Sequence, residues 1–402
     1  LKLNIFIKYN NLQIKKYQEV IMKKITKLLT VASAMLVMML AMTFTTMAAT
    51  TVTPTRAMTG SEKAVTQSYT FNQDTVLEKK LLYNTAGVVI PVKVSESGAL
   101  EINVKANKVE KTFYMTLYTD AACTNKVSGL YDSFNVGDSN ITKYVALGSK
   151  NTYYLRLETN SFTPNKEQFT DSITVSYRFF PRAERTIKSG QTIKYYRNQG
   201  SDVYTFKYKA EATGKVTVSL PYKLGSYLTF KNQKKSDILT EQWVSSIYSY
   251  KYNVYVKKGA VYYFVTKSNG INANTLQSIS IKNTAVKVKM ATNRKKAITI
   301  KNKKSAKCLI TPGDKSAKWY KISLKKNRHP YFDLRGDVTG VWKLQICNKK
   351  GKAIKNMTFR WYGNKNRITT WDGWKKGTYY FKVTPADSKS YGLATFKYKQ
   401  VK

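Results

Sequence analysis

The sequence predicts an all-β fold: three tandem antiparallel β-sandwich modules following an N-terminal export signal. Three observations predict it. Apolar segments are short, rich in Val, Ile, Thr, Tyr and Phe, and alternate with polar residues at period two, as half-exposed strands require. A phrase combining a Lys or Gly turn with a Tyr-Tyr pair recurs at the spacing of whole domains rather than of solenoid repeats. The chain has 402 residues, enough for about two to four separate cores, and few of its stretches read as helix.

The first element is the export signal. Met22-Lys-Lys-Ile-Thr-Lys27 is basic, Leu28 to Met42 is apolar, and Thr46-Met-Ala-Ala49 offers small residues for cleavage. The apolar run is shorter than the roughly 20 residues of a spanning helix, so a signal peptide over 1–49 is expected and no transmembrane anchor. Residues 1–21 would make too long a basic lead, which places the expected start at Met22, and 50–63 reads as a linker. The expected location is secreted, extracellular or held at the cell wall.

The repeats come next. The recurring phrase is Gly148-Ser-Lys-Asn-Thr-Tyr-Tyr-Leu155, then Lys258-Gly-Ala-Val-Tyr-Tyr-Phe264, then Lys376-Gly-Thr-Tyr-Tyr-Phe381. Each is followed by a closing strand, at Ser172 to Tyr177, Leu276 to Ile281 and Ala394 to Tyr398. Upstream lie further alternating strands: Val203 to Tyr208 and Lys215 to Leu220 around a turn containing Gly214, and Trp319 to Leu324 before Trp342 to Ile346. The modules therefore span 64–181, 182–283 and 297–402, with 284–296 as an extended basic linker. In each Tyr-Tyr pair, neighbouring strand positions face opposite ways, so one ring is expected in the core and one at the surface.

The strand order W/VY-x-F/I-x-L/Y, a Gly turn, K-G-T-Y-Y-F-x-V and a Tyr-rich closing strand resembles the bacterial pre-peptidase C-terminal domain, best in 297–402. The resemblance implies a jelly-roll-like sandwich, the architecture of an accessory module in secreted enzymes that is related to collagen-binding modules. Relatives of that kind carry calcium through an acidic segment, and this chain departs from them there, because its second and third modules are poor in Asp and Glu.

Charge then divides the modules. The chain carries 69 Lys and Arg against 23 acids, for a net charge of +46, and only 11 of the bases are Arg. Residues 65–181 have a net charge of +1, 182–283 of +12 and 284–402 of +26. The last value far exceeds the charge of about 2–8 that solubility asks of a small domain, so attraction to a polyanion is expected. Lysine acts as a hydrated point charge, suited to a flexible anionic polymer rather than to specific nucleic acid recognition. Candidate contacts are Arg294, Lys295, Lys296, Lys301, Lys303, Lys304, Lys325, Lys326 and Arg328, and the expected partner is an anionic cell-wall polymer or extracellular polysaccharide.

The densest aromatic cluster, Trp361, Tyr362, Trp371 and Trp374, reads either as core filling or as a platform for sugar rings, the alternative function. Cys308 and Cys347 fall in one module and either pair or sit buried as small apolar residues, leaving Cys123 odd. Asp120, Asp132 and Asp138 read as turn carboxylates, with a calcium site as the other reading. One histidine, His329, and no phosphate loop, nucleophile elbow or His/Cys cluster leave no catalytic residue, metal or cofactor to assign, so a non-enzyme is expected. Oligomeric state stays open.

Overall fold

The computed structural model describes residues 18–27, 58–59, 63–79, 83–164, 166–197, 202–220, 226–244, 250–268, 275–369 and 373–401. The apolar run 28–42 and the cleavage region of the expected signal lie outside them. Among the described residues no helix is long and apolar enough to cross a membrane.

The chain is built almost wholly of strands. The first ten are β1 (Met58–Thr59), β2 (Val65–Asn72), β3 (Val76–Lys79), β4 (Asn84–Val94), β5 (Gly98–Lys108), β6 (Phe113–Tyr118), β7 (Lys126–Phe134), β8 (Asn140–Leu147), β9 (Asn151–Thr159) and β10 (Thr170–Pro181). Then follow β11 (Arg185–Thr186), β12 (Thr192–Arg197), β13 (Val203–Lys209), β14 (Gly214–Leu220), β15 (Ser226–Lys231), β16 (Asp237–Val244), β17 (Tyr250–Val256), β18 (Val261–Ser268) and β19 (Thr275–Ala285). The last nine are β20 (Ile298–Thr299), β21 (Ser305–Ile310), β22 (Lys318–Leu324), β23 (His329–Thr339), β24 (Trp342–Cys347), β25 (Ala353–Trp361), β26 (Lys365–Thr369), β27 (Gly377–Pro385) and β28 (Tyr391–Val401).

These strands form six sheets in three pairs. The orders are β1-β4-β9-β6-β7 with β2-β10-β5-β8, β11-β13-β18-β15-β16 with β12-β19-β14-β17, and β20-β22-β27-β24-β25 with β21-β28-β23-β26. Apart from the extra β3 beside β4, the three pairs have one and the same connectivity. Even the opening two-residue strand recurs, paired parallel each time: Met58 with Val92, Arg185 with Phe206, Ile298 with Tyr320. The longer strands pair antiparallel, for example β13 with β18 and β23 with β28.

Alternation explains each strand. In β22, Lys318, Tyr320, Ile322 and Leu324 are buried, whereas Trp319, Lys321 and Ser323 face outward to differing degrees. The inward side chains of the third repeat meet those of the facing sheet: Phe332 stacks on Phe381 at 4.6 Å, and Phe396 stands edge-on to Phe381 at 5.1 Å. Trp342 and Trp361 are fully buried beside them. Large aromatic rings supply most of the buried area of such a core. Gly214, expected in a turn, instead opens β14, where a Cβ would run into the Thr284 carbonyl of β19.

Contacts divide the chain into two compact units, Leu1–Ser95, Glu101–Lys143 and Lys150–Arg178 forming one, and Glu96–Leu100, Tyr144–Ser149 and Phe179–Lys402 the other. The second and third repeats thus lie in one unit, and they share a core. Leu309 and Tyr391 of the third repeat join the buried cluster of the second, with Tyr391 6.3 Å from Phe230. The Tyr255 hydroxyl donates to Asp337 Oδ2 at 3.3 Å. The 284–296 segment runs on from the end of β19 through residues 286–293 to a 3-10 turn at Arg294–Lys296, and it does not hang free. Val286, Val288 and Met290 pack on the second core, alternating with exposed Lys287 and Lys289, and Ala291 accepts from the Trp319 amide at 2.8 Å. The charge run concealed a period-two strap.

Candidate functional site

At one end of the third repeat, the 299–302 loop, the 323–328 turn and Gln400 enclose a cleft of about 430 Å³. Four of the nine expected polyanion contacts, Lys301, Lys325, Lys326 and Arg328, line it together with Asn302 and Ser323. Among the described residues no carboxylate lines it.

Backbone bonds hold both walls. On one side the Ile300 amide donates to Lys321 and the Lys304 amide to Lys301. Lys303 takes the left-handed conformation, φ 63°, which turns its amide onto the Tyr398 carbonyl at 2.8 Å while the Tyr398 amide reaches Lys304. Asn302 Oδ1 accepts from the Gln400 amide at 3.0 Å, which fastens the basic loop to β28. On the other side Arg328 and Trp374 exchange amide–carbonyl bonds of 3.1 and 2.8 Å, and Asn327 Oδ1 accepts from the Lys376 amide. The lysine side chains are exposed and Arg328 is half-buried, so the cations converge on a held frame with their heads still in water.

The described acids of the third repeat are engaged elsewhere. Asp314 pairs with Lys318 at 2.8 Å, and Asp333 with Arg367 at 2.6 Å and Lys399 at 3.7 Å. Burial raises the Asp333 carboxyl, but Arg367 and then Lys399 outweigh it and hold the group below its ordinary value. Asp337 accepts from Tyr255, and Asp387 caps its own turn through the Lys389 amide and Ser390 hydroxyl. Asp372 lies outside the described residues. None of the described acids of the third repeat neutralises the cleft.

The remaining candidates are scattered. Lys303 and Lys304 sit on the cleft's loop without lining it. Arg294 is a strut, donating to the Lys349 carbonyl at 2.6 Å with its guanidinium 5.4 Å over Tyr380. Lys295 and Lys296 stand exposed on a single 3-10 turn, Arg294–Lys296, capped by Asn293.

Among the described residues no aromatic platform forms. Trp361 is fully buried, edge-on to Trp342 at 5.6 Å, because it falls on the inward phase of β25. Trp374 is 4% exposed and packs on Tyr379 at 4.8 Å, where it braces the wall that carries Arg328. Tyr362 is 73% exposed, and Trp371 lies outside the described residues. The Tyr pairs also depart from expectation. Tyr153 is buried and Tyr154 half-buried, but Tyr262 and Tyr263 are both buried, Lys235 covering the Tyr263 ring, and Tyr379 and Tyr380 are both half-buried.

Cys308 and Cys347 do not pair; both are buried free thiols, on strands of the two different sheets. Burial pushes Cys308 up to about 12 and Cys123 up to about 11, and lifts Cys347. At pH 8 all three are protonated and poorly reactive. The folded chain is expected to react slowly with a thiol reagent and to titrate three thiols in denaturant without reductant. A single thiol under those conditions would establish a disulfide.

In the first repeat each candidate aspartate serves its own surroundings. Asp120 accepts from the Thr124 and Asn125 amides, Asp138 from the Asn135 amide, and Asp132 pairs with Lys143. Among the described residues no group of three or more His, Cys, Asp or Glu is placed to hold a metal. The neutral lining of the cleft, Asn302, Ser323 and Gln400, has no local signal in the sequence. These come from three separate segments, and only strand register brings them together.

No family profile and no curated protein matches the chain. Among solved structures, it is similar to the pre-peptidase C-terminal domain of collagenase from Bacillus anthracis, at 15% identity over 25% of this chain and 97% of that one, with a TM-score of 0.21. It is also similar to a protein from Parabacteroides distasonis held to be secreted, at 7% identity over 55% of this chain and 89% of that one, with a TM-score of 0.24.

Proposed function

We propose that this chain is an exported, non-catalytic envelope protein whose third repeat holds an anionic polymer of the cell wall or extracellular matrix. The observation that carries the reading is the cleft of four cations with no carboxylate among the described residues that line it. Lysine ammoniums bring long-range attraction, and the Ser323 hydroxyl and Asn302 amide bring neutral hydrogen bonds to a phosphate or sulfate oxygen. The basic and apolar run at 22–42 and the pre-peptidase-like phrase in 297–402 support export and an accessory role.

The test is binding of the full chain to long-chain inorganic polyphosphate as salt is raised. Affinity is expected to fall steeply and linearly on a log–log plot, because bound cations release counterions from the polymer. Changing Lys301, Lys325 and Lys326 together to Gln should flatten that slope by about 2, at roughly 0.7 per contact. Binding that persists at about 0.5 M salt, where charges act over only a few ångströms, would overturn the reading.

A further inference from the structure

The four-stranded sheet of the third repeat has an outer face whose residues the register fixes. Across β21, β28, β23 and β26 one row reads Lys307, Thr395, Arg335, Lys365, and the next Ser305, Lys397, Asp333, Arg367. A third row carries Lys399, Tyr331 and Thr369. Along these three rows six cations meet one acid, which is bound to Arg367 and Lys399; the face's other acid, Asp337, sits one row further on, opposite Leu393, and accepts from Tyr255 of the second repeat. A groove of about 360 Å³ runs along its β23–β26 margin.

The same face in the other repeats is differently made. In the first repeat its rows pair Thr66 with Ser176, Ser68 with Thr174 and Thr70 with Ser172, and the first two pairs are hydrogen-bonded at 2.9 and 3.1 Å. In the second repeat the rows mix Thr192, Ser278, Ser280, Ser219 and Thr217 with Lys194, Lys215, Lys251 and Lys282. One fold thus presents hydroxyls, then a mixture, then a cation lattice on equivalent positions. Solubility asks for interspersed signs, which the third face lacks.

We infer that this face is a second binding surface, distinct from the cleft, for a flexible linear phosphodiester polymer without bases. The inference rests on the polyanion reading for the chemistry of its ligand. Arg335 and Lys365 are direct neighbours about 5 Å apart on adjacent strands, Lys307 lies about 10 Å from Arg335 with Thr395 between them, and Lys365 and Arg367, like Lys397 and Lys399, are about 7 Å apart along their strands, so a flexible chain of phosphates can lie flat across several at once. Bases would need open aromatic rings on which to stack. The aromatic ring on these rows, Tyr331, carries Arg367 at 5.1 Å and Lys399 at 5.4 Å over it.

The experiment compares three full-length proteins: wild type, the Lys301, Lys325, Lys326→Gln cleft variant, and a face variant with Lys307, Arg335, Lys365 and Lys397→Gln, all four of them exposed. The probes are synthetic poly(glycerol phosphate) of graded length, inorganic phosphate, and single-stranded DNA of equal charge. The face variant is expected to bind the long polymer about tenfold more weakly at ~0.1 M salt, with a salt slope smaller by nearly 3, and to bind inorganic phosphate as wild type does. If the face variant keeps wild-type polymer affinity and slope while the cleft variant loses them, the face proposal fails and the cleft reading stands. If neither variant changes, the polyanion reading fails with it. Tighter binding of the DNA would overturn the assigned ligand.

Discussion

Tyr391→Ala is expected to lower the free energy of unfolding by about 3–5 kcal/mol, the range for truncating a large buried aromatic side chain, and to loosen two repeats at once. Tyr391 opens β28 of the third repeat, yet its fully buried ring belongs to the core of the second, near Phe230. Leu309 enters the same cluster, and Leu393 packs against it. A cavity there removes contacts from both repeats, because a close-packed interior relaxes only partly around a void. Amide exchange resolved by segment checks this. Protection should fall in β15 and β18 of the second repeat as well as in β28. Loss confined to the third repeat would mean that the shared cluster does not couple them. For the same reason, deleting 284–402 would expose apolar surface on the second repeat, so point substitutions on the full chain are the cleaner probes of the basic region.

Much of the strand pattern could be read from the sequence. Val203 to Tyr208 and Trp319 to Leu324 alternate as expected, and both are strands with one buried face. The recurrence of the Tyr-Tyr phrase corresponds to β9, β18 and β27, which hold the same place in their sheets. The burial of Trp361 was also within reach. Met357, Phe359 and Trp361 share one phase of β25, and Thr358 and Arg360 the other. The density of rings around Trp361 obscures that phase.

Other features had no local signal. Two-residue opening strands such as β20 are too short to show a period, and only their parallel pairing reveals them. Tyr391 and Leu309 look like ordinary strand residues, and nothing nearby in the chain says that their partners lie in another repeat. The cleft's cations were legible as an excess of charge. Their convergence depends on the left-handed turn at Lys303 and on the Asn302 to Gln400 bond, which joins residues almost a hundred positions apart. The lattice on the four-stranded face needs the pairing register, since Lys307, Arg335 and Lys365 come from three strands that are not consecutive.

Asp314→Ala is expected to cost about 3–5 kcal/mol, because it strips the partner from a buried ammonium. Lys318 lies on the inward phase of β22, 4% exposed, in a position that Tyr320 and Ile322 extend into the core. Asp314 Oδ2 meets its Nζ at 2.8 Å, and Ser316 donates to Asp314 Oδ1 through both amide and hydroxyl, which fixes the carboxylate. Burial raises the Asp314 carboxyl, but Lys318 and Ser316 together outweigh it and leave it below its ordinary value. The sign of the pH dependence follows. The folded state binds this proton less readily than the unfolded chain, so the pair stabilises fully above the unfolded value of about 4, and that stability fades as pH falls through the folded value. Urea unfolding over pH 2 to 7 should therefore show wild type losing stability in acid where the variant has already lost it, with the two curves converging at the acid end. Adding Lys318→Met to Asp314→Ala should restore most of the loss at pH 7, since an apolar side chain of similar length removes the unpaired charge. A single variant as stable as wild type at pH 7 would mean that water, rather than Asp314, neutralises Lys318.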